Sequence, residues 1–461
     1  MIDVTIVAEA SPRLTPAAEY GVDAAIRELR AHGIATGLLA QRSARQEVAN
    51  ETVFSAAGRR DGARVLPVAT VNPVQSMAVE GQVRDAVAVR FFPAEQQWAV
   101  TSEAFQRIAS EIRVPLLVPV SAFGDATAIG AATANLELPV VLVGGHYTNL
   151  VDCLAAMQRW PHLYLETSRL AQYRGIETVV HSVGARRLLF GSGAPRRPIQ
   201  AALNAVIAAD ITLDDKRAIL GANATRLFGL PADDFDVPPP ARAEHLVDVH
   251  AHTGLLGFPT PPWTAHAAID MRVASSLTAI VDGIVEPPGA EPGYVVVNPN
   301  DMDGSCRAMD QHDSAVGAKL HSSYAGQPTA STDTIALMRE VARRGKPLKV
   351  HVDGPAWREA IASVALEHPR WNVIVAHAGP GMPVRAVAGL VEQTRNVYVE
   401  LCTSMPDLPV TREVVRRVGP ERLLFGSDAP LLDPDYMLGV YTDAGADLRC
   451  TAPLARQVFG L

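Results

Sequence analysis

Cysteine is scarce in this chain, and positive charge is not concentrated anywhere. The 461 residues include four cysteines, none of them in a C-x-x-C pair: Cys153, Cys306, Cys402 and Cys450. This scatter disfavours a disulfide framework and a thiolate zinc site, and it fits a reducing compartment. The net charge is −8 without any long run of lysine or arginine, so we expect neither nucleic acid nor an anionic membrane as a partner.

Long hydrophobic runs are absent as well. No apolar run is long enough to cross a bilayer, and Met1–Val7 follows a strand pattern without the basic start and apolar centre of a signal peptide. We therefore expect a cytoplasmic protein that acts on a small-molecule substrate. Hydrophobic residues make up 48% of the chain and charged residues 20%, a composition that suits two globular cores.

One nine-residue sequence occurs twice. Arg187–Pro195 recurs as Arg422–Pro430, and the two copies differ only where Gly193 answers Asp428. Weaker echoes have nearly the same offset: Val114–Leu116 and Lys346–Leu348, Leu163–Glu166 and Val397–Glu400, and Phe228–Leu230 and Phe459–Leu461. The repeats predict two copies of one domain. We place the first copy at 1–230, a proline-rich linker at 231–245 and the second copy at 246–461.

Short β-branched runs alternate with helical patterns in both copies. The predicted strands of the second copy are Leu246–Val249, Leu277–Val281, Tyr294–Val297, Val316–Leu320, Leu348–Val352, Val373–Ala376, Val397–Leu401 and Leu423–Phe425. Those of the first copy begin at Ile2, Ile34, Val65, Ala86, Leu116, Val140, Leu163 and Leu188. Asp333–Arg344 has the pattern of a capped amphipathic helix. This alternation predicts an α/β protein made of two tandem (β/α)8 TIM-like barrels.

Histidines and an aspartate stand at the ends of several predicted strands in the second copy. His250 and His252 end its first strand, and because residues i and i+2 of a strand share a face, both imidazoles can reach one metal ion. Alone, this pair also suits two solvated histidines. His351, His377 and Asp428 follow later strands, and the active sites of such barrels lie at the C-terminal ends of strands. The set therefore predicts a metal centre at one rim.

The motifs of the second copy follow one another in a recognisable order. They are D-x-H-x-H, G-x-K-L-H, V-H, A-H-A-G and F-G-S-D-A-P, spread over residues 246–461. In this order they resemble the amidohydrolase superfamily, specifically the amidohydrolase-2 branch that includes metal-dependent hydrolases and decarboxylases similar to aminocarboxymuconate semialdehyde decarboxylase. The resemblance implies one divalent metal ion, with zinc expected and manganese or iron as alternatives. Its ligands would be His250, His252, His351 and Asp428, while His377 and Asp428 would be catalytic.

Two more residues of the second copy are candidates for the site. Lys319 and His321 end the fourth predicted strand, where they would contact an anionic group of the substrate. Some binuclear amidohydrolases instead use a carbamylated lysine there to bridge two metals, and a lysine at a strand end is often only a cation with a buried stem. Asp248 is expected to be a structural acceptor near the ligands.

The expected reaction is hydrolysis of a C–N or ester bond in a small polar molecule by a metal-activated water. Asp428 would accept and return the proton, and His377 would orient water or polarise the substrate. The alternative is a metal-dependent decarboxylase of a carboxylated unsaturated or aromatic substrate, which would release carbon dioxide. A third possibility is a binding protein without catalysis.

The first copy lacks these ligands. Its replacements are Thr5 for His250, Val7 for His252, Pro119 for His351 and Gly193 for Asp428. His146 lies close to the position that answers His377, one residue out of register. Without a carboxylate or three imidazoles an ordinary zinc site cannot form, so we expect the first barrel to be catalytically inactive.

An inactive copy can persist as a partner. Enzymes that resemble this branch commonly work as dimers, so the duplication suggests that the first barrel packs on the second as an intramolecular pseudo-dimer. In that arrangement Arg90 or Arg113 of the first copy would be candidates to approach the second copy's pocket. The alternative is two barrels on a flexible tether.

Overall fold

Two compact units make up the chain, Met1–Pro240 and Ala241–Leu461. The computed structural model describes residues 1–9, 20–42, 50–57, 63–75, 83–232, 234–241, 243–254, 263–289, 292–312, 315–321, 330–352 and 354–461. The boundary between the units falls inside 231–245, the segment predicted as a linker. No helix in these ranges is long and apolar enough to cross a membrane.

Eight parallel strands form the sheet of the first unit, each paired with the next in the chain. They are β1 Ile2–Glu9, β2 Thr36–Arg42, β3 Arg64–Thr70, β4 Ala88–Arg90, β5 Leu116–Pro119, β6 Val140–Val143, β7 Leu163–Glu166 and β8 Leu188–Leu189. The segment after β8 returns to β1, where Val4 N–H donates to Phe190 O at 3.0 Å and Val7 N–H donates to Ala194 O at 2.9 Å. These bonds close the sheet into a barrel.

Helices connect these strands. They span Val22–Ala31, Asn50–Ala56, Pro93–Gln96, Glu103–Glu111, Asp125–Ala132, Leu150–Arg159, Gly175–Val183, Ile199–Ile207, Leu213–Arg217 and Asn223–Phe228, with shorter 3-10 and π turns at Ala185–Arg187 and Ala218–Ala222. The helix Glu103–Glu111 illustrates why they form. Ser102 caps its first turn by accepting a hydrogen bond from Phe105 N–H, and Phe105, Ile108 and Ala109 form its buried face.

The second unit repeats the arrangement. Seven parallel strands pair in chain order: β9 Leu246–Thr253, β10 Ile269–Ser276, β11 Gly293–Val297, β12 Ala315–His321, β13 Leu348–His351, β14 Val373–Ala376 and β15 Val397–Val399. The eighth position is occupied by single bridges, Val399 to Leu423 and Ala251 to Ala429. Val249 N–H donates to Phe425 O at 3.0 Å, so this sheet also closes on itself.

The helices of the second unit span Leu277–Asp282, Met302–Gln311, Thr332–Arg343, Trp357–Glu367, Val384–Gln393, Leu408–Val418, Pro434–Asp443 and Thr451–Phe459, with a 3-10 turn at Leu448–Cys450. The helix predicted at 333–344 is present, and its first turn is capped by Ser331, whose Oγ accepts from Thr334 N–H at 3.2 Å. The prediction of two tandem TIM-like barrels is confirmed.

One predicted strand is wrong. Leu277–Val281 lies in the helix Leu277–Asp282, and the strand is the preceding segment β10. The reason is local, because Ser276 ends β10 and its Oγ accepts a hydrogen bond from Ala279 N–H at 3.2 Å. This cap begins a helix within an apolar, β-branched run that reads equally well as a strand.

The terminal helix of each copy packs into the core of its barrel. In the second unit, Val458 and Phe459 belong to one buried cluster with Val247, Val249 and Tyr294. In the first unit the helix Asn223–Phe228 contributes Ala224 to the equivalent cluster, and Phe228 packs against it. The repeated Phe-Gly-Leu sequence therefore reflects the same helix end in both copies.

Candidate metal centre

The predicted ligands of the second unit gather at the C-terminal ends of its strands. His250 and His252 lie in β9, His351 ends β13, and Asp428 lies between the two bridges of the eighth position, at Leu423 and Ala429. His250, His252 and Asp428 are 1%, 5% and 8% exposed. The site is therefore largely shielded from bulk water, which strengthens electrostatic interactions inside it.

Three of these residues converge on one point. Asp428 Oδ1 lies 2.9 Å from His252 Nε2 and 3.5 Å from His250 Nε2. One potential ligand atom from each of the three lies within 4.8 Å of the others. Two imidazoles and one carboxylate at such spacing are a ligand set that first-row divalent metals prefer.

The backbone of Asp428 is held in an uncommon conformation that aims its side chain at the histidines. Its φ angle is +64°, in the left-handed region that Asp and Asn adopt more readily than other non-glycine residues. Its N–H donates to the carbonyl of His250 at 2.6 Å. The same hydrogen bond thus closes the barrel and sets the distance between the carboxylate and the first histidine.

His250 presents a lone pair to this cluster. Its Nδ1 lies 2.8 Å from Oε1 of Glu400, and because the carboxylate accepts, the proton is on Nδ1 and the lone pair is on Nε2. That lone pair and Asp428 Oδ1 are both acceptors, 3.5 Å apart. Two lone pairs that face each other can both bind a cation placed between them, so the residues present fit a metal ion.

His351 is placed next to His377. Among the described residues, two groups of potential ligands have atoms within 4.8 Å of one another, and His351 is in neither; the second group is His250, His377, Glu400 and Cys402. His377 Nδ1 donates to Cys402 O at 2.7 Å, so its Nε2 accepts from His351 Nδ1 at 2.9 Å. This tautomer leaves the lone pair of His351 on Nε2, the form that a metal ligand requires.

Lys319 and His321 lie beside the ligands. Lys319 is fully buried, and its Nζ is 3.4 Å from His250 Nε2. Burial lowers the pKa of Lys319 to about 8, against the opposing effect of Asp428. The ring of His321 stacks on that of His351, with centroids 3.7 Å apart. Both candidates for substrate contact therefore adjoin the predicted metal ligands.

The buried histidines favour the neutral form. Burial, followed by the charge of neighbouring lysines, holds the pKa of His250 well below its usual value, and burial likewise lowers the pKa of His252. Burial and the adjacent His351 lower the pKa of His377 to about 3. Burial alone would raise the pKa of Asp428, but its hydrogen bond with His252 and the charges of His252, His377 and Lys319 together outweigh that effect, and the pKa falls to about 2. Neutral imidazoles and an ionised carboxylate are the protonation states that bind metals.

Glu400 and Cys402 belong to this site and were not predicted from the sequence, and Glu400 makes the larger contribution to its hydrogen bonds. It is fully buried and accepts three hydrogen bonds, from His250 Nδ1 at 2.8 Å, from His377 N–H at 3.0 Å and from Cys402 N–H at 2.7 Å. Burial raises its pKa. The available signal was its place in the repeat, where Glu166 answers it. An acid in an otherwise apolar strand of both copies indicates a buried acceptor.

Asp248 has a different task from Glu400. Its Oδ1 accepts from His250 N–H at 2.9 Å and from Ser427 N–H at 3.0 Å, and its Oδ2 accepts from Ser427 Oγ at 2.5 Å. It therefore fixes the backbone of the first strand and of the segment before Asp428. The imidazole of His250 is oriented by Glu400 instead.

The first unit retains the buried glutamate and its hydrogen bonds but lacks the metal ligands. Glu166 accepts from Thr5 Oγ1 at 3.3 Å, as Glu400 does from the imidazole of His250. Gly144 N–H donates to Glu166 Oε1 at 2.6 Å, as His377 N–H does to Glu400. Gly144 therefore takes the place of His377. His146 lies two residues after that position, and not one residue as the sequence comparison predicted. In the described part of the first unit, no three potential ligands cluster within 4.8 Å.

Comparisons with solved structures give low similarity over about half of the chain. Amidohydrolase 2 from Bifidobacterium longum subsp. infantis is 17% identical, covers 48% of this chain and 100% of its own, and has a TM-score of 0.34. 5-Carboxyvanillate decarboxylase from Novosphingobium aromaticivorans, with manganese bound, is 14% identical over 50% of this chain and 96% of its own, with a TM-score of 0.40. A probable 2-pyrone-4,6-dicarboxylic acid hydrolase from Acinetobacter baumannii is 14% identical over 47% and 100%, with a TM-score of 0.34. No curated protein matches the chain.

A family model gives the stronger result. The model described as amidohydrolase matches residues 5–230 and 264–460, so that it covers most of both copies, including the first, which lacks the metal ligands. The buried histidine and aspartate cluster lies within the second matched range. The chain belongs to the amidohydrolase family.

Proposed function

We propose that the second barrel is a metal-dependent hydrolase that cleaves a C–N or ester bond in a small polar molecule, and that the first barrel is catalytically inactive. The observation that carries the proposal is the convergence of His250, His252 and Asp428, with one potential ligand atom from each within 4.8 Å of the others. The site would hold one divalent ion, with zinc preferred, and His351 Nε2 would add a fourth ligand. Such an ion supplies a Lewis acid and lowers the pKa of a bound water towards neutrality.

Asp428 is the proposed base. An ionised carboxylate at the centre of the cluster can take a proton from the attacking water and return it to the leaving group. The hydrogen bond from its N–H to His250 O keeps it in register with the ligands. Its rigid placement limits the reorganisation that proton transfer would otherwise require.

His377 is proposed to orient rather than to protonate. Its Nδ1–H is committed to the carbonyl of Cys402 at 2.7 Å, so Nε2 can only accept. It can hold His351 Nδ1–H, or a hydrogen of the attacking water or of the substrate. Lys319, fully buried beside this group, is proposed to contact an anionic part of the substrate, together with His321.

Elemental analysis of the full-length protein tests the metal site. We expect about one equivalent of zinc or manganese per chain, and none in a His250→Ala/His252→Ala double variant. A His146→Ala variant of the first barrel is the matched control and should keep the metal. Absence of metal from the wild type, even after reconstitution, would refute the proposal and favour a binding protein without catalysis.

Product analysis tests the reaction. The metal-loaded protein is offered a panel of small amides and esters and a panel of unsaturated and aromatic carboxylates. Hydrolysis products that require the His250 and His252 side chains support the proposal. Release of carbon dioxide from the second panel, without hydrolysis of the first, would replace it with the decarboxylase alternative.

The intramolecular pseudo-dimer and the cytoplasmic location remain proposals that rest on the sequence alone. Expression of residues 241–461 without the first copy tests the pseudo-dimer. We expect an insoluble or inactive product, because the isologous surface of the second copy would lack its partner. A soluble fragment with full activity would contradict this expectation.

A further inference from the structure

Two arginines of the first barrel occupy space that side chains of the predicted site occupy in the second. Gly193 answers Asp428, and a Cβ atom built on Gly193 would lie 2.9 Å from Cδ of Arg197. The side chain of Arg197 therefore fills the place from which the carboxylate of Asp428 extends in the second barrel. A cationic side chain has replaced an anionic one at this position.

An arginine also fills the space at the position of His377. Its counterpart Gly144 would place a Cβ atom 3.1 Å from Cδ and 3.8 Å from Nη1 of Arg169. Arg169 stands three residues after Glu166, where Thr403 stands three residues after Glu400. A neutral position of the second barrel is thus cationic in the first.

Arg90 is the counterpart of Lys319. Arg90 pairs with Leu117 in the ladder of β4 and β5, as Lys319 pairs with Lys349 in the ladder of β12 and β13. It is only 8% exposed. Within the described residues, its buried Nε and Nη1 have no hydrogen-bond partner. Burial lowers its pKa to about 10, so the guanidinium is still charged at neutral pH.

Further buried polar atoms lie in the loops of this rim. His146 Nε2 and Asn149 Nδ2, after β6, and both side-chain polar atoms of Gln172, after β7, have no partner among the described residues. Burial, and next the charges of Arg169 and Arg197, lower the pKa of His146 to about 3. Gly144, against which the side chain of Arg169 lies, and His146 belong to the same segment after β6.

Three described carboxylates act on the charge of Arg90, namely Glu166, Glu95 and Asp3, and each accepts hydrogen bonds from other groups. Glu95 accepts from Arg42 Nε at 2.9 Å. Glu166 accepts from Gly144 N–H, from Ser168 N–H at 2.7 Å and from Ser168 Oγ at 2.8 Å. Asp3 accepts from Thr5 N–H at 3.0 Å and from Ser192. Glu166 and Asp3 therefore hold the backbone of the barrel through these hydrogen bonds.

Buried N–H groups without partners are costly, and native proteins rarely keep them without a ligand, a water or a function. The planar guanidinium is the side chain best suited to bind carboxylate and phosphate groups through paired hydrogen bonds. We infer that the C-terminal rim of the first barrel is an oxyanion-binding site, in which Arg90, Arg169 and Arg197 bind the carboxylate or phosphate group of a small molecule. The inference is independent of the reaction proposed for the second barrel.

Calorimetric titration of the full chain tests this site. The protein is first stripped of metal with a chelator, so that anions cannot bind through a metal ion, and it is titrated separately with inorganic phosphate and with benzoate. We expect saturable binding of at least one of them. Phosphate alone would identify a phosphate site, benzoate alone a carboxylate site, and both a general oxyanion site; saturable binding of neither would overturn the inference.

Substitution locates the binding. In an Arg169→Gln/Arg197→Gln double variant we expect affinity at least about tenfold lower, since each lost charged hydrogen bond has a large effect. The control variant Arg30→Gln/Arg217→Gln removes the same charge from exposed helix positions and should bind as the wild type does. Equal binding by the rim variant would place the anion elsewhere and refute the site. If the rim variant does not fold, Arg90→Lys keeps the buried charge, removes the planar donor pair and should weaken binding in the same way.

Discussion

Oε1 of Glu400 accepts a hydrogen bond from Nδ1 of His250 at a distance of 2.8 Å. This contact fixes the tautomer and the orientation of the imidazole and increases its basicity as a ligand. We expect Glu400→Gln to lower metal affinity by about 10- to 100-fold, measured by competition with a chromogenic chelator. Glu166→Gln makes the same change at the equivalent position of the first barrel and should leave metal affinity unchanged. Equal affinities of both variants and the wild type would contradict the assigned role.

Asp428→Asn should preserve the fold, because asparagine tolerates the positive φ of this position. The amide cannot accept the proton of water, so turnover should fall by about 10²- to 10⁴-fold. The measurement is steady-state turnover at saturating metal, which separates lost catalysis from weaker metal binding. Near-normal turnover would exclude Asp428 as the base.

Gly193→Asp should not create a metal site in the first barrel. In the first barrel, the positions of the other three ligands are occupied by Thr5, Val7 and Pro119, which cannot replace the histidines. The Cβ atom of the new aspartate would also lie 2.9 Å from Cδ of Arg197. The φ angle of +72° adds a strain of about 1–2 kcal/mol. Metal analysis in the His250→Ala/His252→Ala background isolates the first barrel, and any bound equivalent would refute our account of its missing ligands.

Lys319→Met distinguishes a buried cation from a metal bridge. The ammonium lies 3.4 Å from His250 Nε2 and competes with a metal ion for the same lone pair. Removing its charge should keep one metal per chain and tighten metal binding, by roughly tenfold at the effective dielectric of a protein interior. Two equivalents in the wild type and loss of metal from the variant would instead assign Lys319 as a carbamate bridge.

Asp3 should make the first barrel less stable as pH rises. Burial raises its pKa from 3.8 to about 6 in the folded protein, so the folded state keeps a proton that the unfolded chain releases. Stability from this group is fully present below pH 4 and declines towards pH 6, by about 3 kcal/mol in total. Asp3→Asn mimics the protonated acid and should remove this decline.

The pH dependence of the melting temperature measures the effect. We compare wild type and Asp3→Asn between pH 4 and pH 7, with Asp23→Asn on an exposed helix position as the control. Parallel profiles for the wild type and Asp3→Asn would show that Asp3 does not titrate in this range.

The two-barrel architecture could be predicted from the strand pattern and the internal repeat. The strands of a closed barrel are buried, so they appear in the sequence as short β-branched runs. β14 was predicted with both its ends correct. Leu277–Val281 failed because periodicity does not distinguish a short apolar helix from a buried strand. The deciding interaction is a single serine cap, and a serine before an apolar run is common at both kinds of boundary.

The site was only partly predictable for a similar reason. The sequence places His250, His252 and Asp428 at the C-terminal ends of predicted strands. Because parallel strands in a barrel end at the same rim, these residues could be predicted to meet there. The role of Glu400 depends on the direction of its side chain and on three donors, two of which, His250 and His377, are distant from it in sequence. Arg169 and Arg197 give no signal in the sequence, because neither aligns with a predicted site residue of the second barrel, and only the space that their side chains fill relates them to His377 and Asp428.

The Asp–Ser pairs that join the two ends of each barrel also bear on how the chain folds. Asp3 and Ser192 are 189 residues apart, and Asp248 and Ser427 are 179 apart. Neither ring can be completed until almost the whole copy has left the ribosome, and closing so long a loop is entropically slow. Until then the first and last strands present open edges that can pair with other chains. Each barrel therefore stays open to aggregation during synthesis until its serine, Ser192 or Ser427, is available to bind the aspartate of the first strand.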